Sequence, residues 1–129
     1  MRAFWRWGPV AVYAAVLFHF SGSASLPGVL AGVWDKALHA GAYAGLALLV
    51  IRALHGGLGR FRPALAAAGA LGAVAYGAFE ELHQAFVPGR FASGGDLLAD
   101  AVGAGLAVAA AGLLHRLMPS RREDAARRR

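Results

Sequence analysis

Four nearly unbroken apolar stretches dominate this chain, roughly Phe4 to Phe20, Ala37 to Leu54, Pro63 to Phe79 and Leu97 to Leu117. Each is close to the ~20 residues that a helix needs to cross the hydrocarbon core of a bilayer. A backbone in hydrocarbon must satisfy its own polar groups, which makes such stretches helical. The balance of residues agrees: 58% are hydrophobic and 16% charged, against about 45–50% and about 25% in a soluble domain. The expected fold is therefore all-α, a small polytopic membrane protein with four transmembrane helices in a bundle. The 18 glycines suit close helix packing in lipid. The third stretch is rich in Ala and Gly, hence weakly hydrophobic and in need of its neighbours.

The breaks between stretches are chemically clear. Ser21-Gly22-Ser23 with Pro27-Gly28 ends the first, His55-Gly56-Gly57 through Pro63 separates the second from the third, and Pro88-Gly89 turns the chain before the fourth. Arg2 and Arg6 before an apolar stretch, with Ser23-Ala24-Ser25 after it, resemble a signal peptide. We read this stretch as a retained span; cleavage would leave the polar end of the remaining three on one side. There is no cysteine, which excludes disulfides, thiolate nucleophiles and zinc–thiolate sites.

Arginine placement sets the orientation. Arg2 and Arg6 precede the first span, Arg52, Arg60 and Arg62 bracket the middle turn, and Arg116, Arg121, Arg122, Arg127, Arg128 and Arg129 follow the fourth. The other two connections carry only Lys36 and Arg90 as cations. By the positive-inside rule both termini and the middle turn are cytoplasmic. The net charge of +6 then reads as anchorage to anionic headgroups, with no nucleic-acid partner.

The opposite end gathers the chemistry. Of 7 acidic residues, all but Glu123 and Asp124 lie there. The candidate site comprises Asp35, Lys36, His39, Tyr43, Glu80, Glu81, His83, Gln84, Arg90, Ser93, Asp96 and Asp100. Ionisable groups in or near lipid usually face each other, water or a substrate. Asp35, His39 and Tyr43 recur at i, i+4 and i+8 and form one stripe. Tyr76, Glu80 and Gln84 form another, with His83 nearby. Ser93 reads as a helix cap with Asp96 in the first turn, and Asp100 continues that face inward beside Gly103. Gly41 and Gly45 form a GxxxG pair, expected to let another backbone approach closely. The economical arrangement points all three stripes into one outward-opening cavity.

Ordinary roles compete for several of these residues. Asp96 with Ser93 reads first as a cap, Glu81 can sit in headgroup water, and Lys36 can snorkel. His19 and His115 read as packing or interfacial residues, and Trp5, Trp7 and Trp34 as an interfacial belt. Asp100, inside an apolar helix, needs a partner, and Arg90, His39 or His83 could supply it.

In this order the residues resemble the VanZ-like family. The matching pieces are Asp35-Lys36-Ala37-Leu38-His39 with Tyr43, Glu80-Glu81-Leu82-His83-Gln84, Pro88-Gly89-Arg90-Phe91-Ala92-Ser93, and Asp96 with Asp100 and Gly103. They span roughly Asp35 to Leu114. The resemblance implies a multi-pass protein of the bacterial cytoplasmic membrane with a role in the envelope. The family takes its name from a member associated with low-level teicoplanin resistance; no glycopeptide-binding or peptide-ligase feature is present here. The chain then divides into a first transmembrane helix and outer loop (1–34), a VanZ-like three-helix core (35–118) and a basic cytoplasmic tail (119–129).

Two classes of function stay open beside a third. The leading expectation is binding or transport of an anionic amphiphile, such as a lipid-linked envelope precursor, with Arg90 and Lys36 holding the headgroup. A structural or assembly partner comes second. A membrane-embedded hydrolase or transferase comes third, using His39 or His83 with carboxylates that orient the histidine or bind a divalent metal, a role open to Glu80, Asp96 and Asp100; no HExxH or GxSxG signature is present. No cofactor and no metal are expected. Membrane lipids are the expected partners, and association with itself or another protein is left open.

Overall fold

The computed structural model describes residues 1–21, 31–56, 61–89 and 91–117. Four helices make up the fold: α1 (Arg2–Ser21), α2 (Ala31–His55), α3 (Pro63–Gln84) and α4 (Gly94–Leu117), with no strand among the described residues. The stretch with Ser23, Ala24 and Ser25, the turn with Arg60, the basic tail and Arg90 lie outside the described residues.

Local chemistry explains the ends. Pro63 occupies the start of α3, where its missing N–H costs nothing, after Arg62 in an extended conformation. Gly56 follows α2 at φ 72° and returns its N–H to the Ala53 carbonyl at 3.2 Å, the left-handed cap that glycine adopts without steric cost. Ser93 Oγ accepts the Asp96 N–H at 3.3 Å and opens α4.

Helix α2 is central: α1, α3 and α4 all pack on it, and α3 and α4 also pack on each other. Because the elements alternate in direction, α2 and α4 run the same way, in direct contact, and α3 runs back against both. The interior is built from small residues, with Ala47, Ala73, Ala104 and Ala107 buried around Tyr43 and Leu46, and Ala66 buried near the start of α3. The large apolar side chains face out: Leu71, Phe79, Leu98, Leu106 and Leu113 are all exposed. This reverses the usual soluble arrangement. Two helices, over Trp34–His55 and Gly94–Leu117, are long and apolar enough to cross a membrane, and only 28% and 22% of them are buried inside the protein.

The GxxxG expectation needs correction. Gly41 has open space where a side chain would stand, and Gly45 faces the Tyr13 side chain. The close backbone approach is elsewhere, where Gly103 of α4 lies against the Ala40 carbonyl of α2. Gly41 points away from every neighbouring helix because α2 turns its other face, with Ala40 and Tyr43, toward α4.

Candidate functional site

Parallel helices advance together at 1.5 Å per residue, so polar residues spaced three or four apart on α2 and α4 stay in register. They do so here as successive interhelix pairs. Outermost, the Lys36 ammonium donates to Asp96 Oδ1, lies 3.4 Å from Ser93 Oγ, and is 3.8 Å from Asp35. One turn inward, His39 Nδ1 meets Asp100 Oδ1 at 2.9 Å. One turn further, the Tyr43 hydroxyl donates to Glu80 Oε2 on α3 at 2.5 Å. The His39 and Tyr43 rings stack with 3° between their planes, so α2 presents a single ordered face.

Burial rises along this series. The Lys36 side chain is 42% exposed, that of His39 25%, and Asp100 only 1%. Glu80 and Glu81 are also buried. Glu81 does not sit in headgroup water, as an ordinary reading of its position had it; its Oε2 accepts the Ser93 N–H at 2.5 Å and ties the loop before α4 to the end of α3. His83 is exposed and packs against the Phe18 ring at 4.8 Å, away from the paired residues. Tyr76 donates to the Ala14 carbonyl at 2.7 Å and holds α1, while Gln84 joins the wall of a cavity at the polar end.

That cavity measures about 370 Å³. Its lining combines the polar Asp35, His39, Tyr43, Glu80, Gln84 and Asp96 with apolar side chains that include Leu17, Phe20, Leu38 and Phe91. Asp35, His39 and Asp96 each offer a ligand atom, all within 4.8 Å of one another. Glu80 Oε1 and Asp100 Oδ2 are buried with no hydrogen-bond partner among the described residues. Satisfied buried polar groups are the rule, so these two oxygens, of which Glu80 Oε1 belongs to a residue of the cavity wall, call for an explanation.

Gly77 was missed from the sequence. A methyl group there would come within 2.6 Å of Asp100 Oδ2 and 3.0 Å of the Tyr43 ring. Glycine thus makes the space in which a carboxylate and a tyrosine from two other helices meet. Its position three residues before Glu80, on a helix with a polar stripe, was the available signal. The apolar lining from α1 was missed as well, since nothing in Leu17 or Phe20 distinguishes it from a lipid-facing residue.

The innermost pair gives a direct test. Tyr43→Phe removes the hydroxyl that donates to the buried Glu80 carboxylate, which is expected to cost about 1–3 kcal/mol. Unfolding in detergent followed by circular dichroism measures it, and an unchanged midpoint would show that Glu80 draws nothing from Tyr43.

No family model matches this chain, and neither the curated proteins nor the solved structures contain a match to it.

Proposed function

We propose that this chain is a VanZ-like integral membrane protein of the bacterial envelope, a four-span bundle that binds the headgroup of an amphiphile in an outward-facing polar pocket. The observation that carries the reading is a cavity lined by both polar and apolar side chains, at the acid-rich end of a bundle whose large apolar side chains face outward. A headgroup with an attached chain matches both kinds of lining, and an apolar lining with a few placed polar groups is usual for ligand sites. The arginine asymmetry supports cytoplasmic termini and a cavity on the outer side.

The charge on the wall narrows the headgroup. Asp35, Glu80 and Asp96 accept hydrogen bonds from hydroxyl or ammonium groups and repel a bare anion. An anionic head therefore needs a cation between itself and this wall, and Lys36, paired with Asp96, and Arg90 are the candidates within the chain. The unpartnered Glu80 Oε1 favours a ligand over a purely structural lock, which would close its own hydrogen bonds.

Two measurements test the reading. Reporter fusions after Arg60 are expected to score cytoplasmic and those at Gly94 extracytoplasmic; the reverse would put the cavity on the wrong side. Protein purified in mild detergent is expected to retain a lipid by mass spectrometry, and Ala42→Trp, which fills the cavity, to lose it. Equal retention in both proteins would remove the pocket from the function.

A further inference from the structure

We propose that Asp35, His39 and Asp96 form a binding site for a divalent transition-metal ion, with Asp100 as its positioning residue. The ligand atoms come from two helices, α2 and α4, and lie within 4.8 Å of one another on the wall of the cavity. His39 carries the argument beyond a cluster of acids. Its Nδ1 is engaged by the buried Asp100 at 2.9 Å, so Nε2 is the nitrogen left to offer a lone pair. A carboxylate behind a ligating histidine is the usual way to fix the tautomer and ring orientation at a metal. Asp100 is 1% exposed and sits in space that Gly77 leaves open, so it cannot turn away from this task easily.

A second observation points to a cation independently. Glu80 is 5% exposed and lines the same cavity, and its Oε1 has no partner among the described residues. An ion, with the water it carries, would bring a donor to this oxygen and positive charge to a wall that holds three carboxylates. The Lys36 ammonium already stands between Asp35 and Asp96, which shows that these carboxylates draw a cation. Its side chain is 42% exposed, so it can swing into water and acts as a competitor. One imidazole with two carboxylates suits Zn²⁺ or Co²⁺ better than Ca²⁺ or Mg²⁺, which take oxygen ligands. Three protein ligands leave a coordination position open to water or to a ligand oxygen. Such an ion would also offset much of the negative charge that the cavity presents to an anionic headgroup, though the site stands without that reading.

The test uses the full chain in phosphatidylcholine nanodiscs, stripped of metal and titrated with Co²⁺. The ion's visible d–d absorption is expected to saturate at one ion per chain, with Zn²⁺ displacing it and Mg²⁺ not. His39→Gln, whose amide can still donate to Asp100, and Asp35→Asn, at a half-buried position, should each weaken binding by about tenfold or more. Asp100→Asn should weaken it by about tenfold and shift the absorption bands, because a neutral amide behind His39 no longer raises the basicity of the ligating nitrogen. Lys36→Met should tighten it, and His83→Gln should leave it unchanged. Absence of the bands overturns the site, as does uptake that Asp35→Asn and His39→Gln leave unaltered, since that ion would sit elsewhere. Metal binding that persists in Ala42→Trp while lipid is lost separates this site from the amphiphile reading.

Discussion

Replacing His39 by alanine is expected to destabilise the bundle by about 3–5 kcal/mol, because it strands a carboxylate that has almost no access to water. Asp100 is 1% exposed, its Oδ1 is held by His39, and its Oδ2 already lacks a partner. Without the imidazole, neither oxygen is satisfied. The effect should fall toward the lower end, since the His39 side chain keeps 25% exposure and water can reach its place. The double variant His39→Leu, Asp100→Leu should recover most of the loss, because replacing a buried pair by apolar groups is often neutral or stabilising. The pair above it sets the contrast. Lys36 is 42% exposed, so Lys36→Met should cost no more than about 1 kcal/mol, as surface ion pairs do. Equilibrium unfolding in mixed micelles, followed by circular dichroism, ranks the variants. A His39→Ala protein no less stable than Lys36→Met would mean that the buried pair contributes nothing.

Gly103→Leu is expected to cost about 3 kcal/mol or more, at or beyond the upper end for overpacking. The new side chain would run into the Ala40 carbonyl, which is backbone and cannot rotate aside. The helices α2 and α4 would have to separate, and every α2–α4 pair would lengthen with them. Gly41→Ala and Gly105→Ala are the controls. Both positions open into free space, so alanine there should be neutral or stabilise the helix by up to about 1 kcal/mol. Equal destabilisation at all three positions would show that glycine matters here for some reason other than the approach of α4 to Ala40.

The helices were legible because long apolar runs read alike in sequence and structure. Their polar ends were not. The apolar run from Ala37 understates α2, which begins at Ala31, and the run ending at Phe79 understates α3, which continues to Gln84. Those extra turns carry Asp35, Lys36, Glu80 and Glu81, the residues that hydropathy discards. Stripe spacing placed His39 and Tyr43 on one face, but spacing within one helix says nothing about partners on another. Three candidates stood for Asp100; the parallel register of α2 and α4 selects His39. Gly41 and Gly103 were equivalent as letters, and only helix rotation separates them. The grouping of Asp35, His39 and Asp96 was likewise unread in the sequence, which assigned no metal, because it depends on two helices meeting at one depth.

The pairs that join the helices have a consequence for how the chain is made. Lys36 and Asp96 are 60 residues apart, His39 and Asp100 are 61, and Tyr43 and Glu80 are 37. A ribosome delivers the chain from its N-terminus, so α2 emerges with its histidine and lysine long before their partners exist. Glu80 can find Tyr43 once α3 is complete, but Asp100 arrives only with the last helix. Until then Lys36 has Asp35 beside it on its own helix, and His39 waits for its buried partner. The α2–α4 pairs are completed only when the last helix is made, after the α2–α3 pair has become possible.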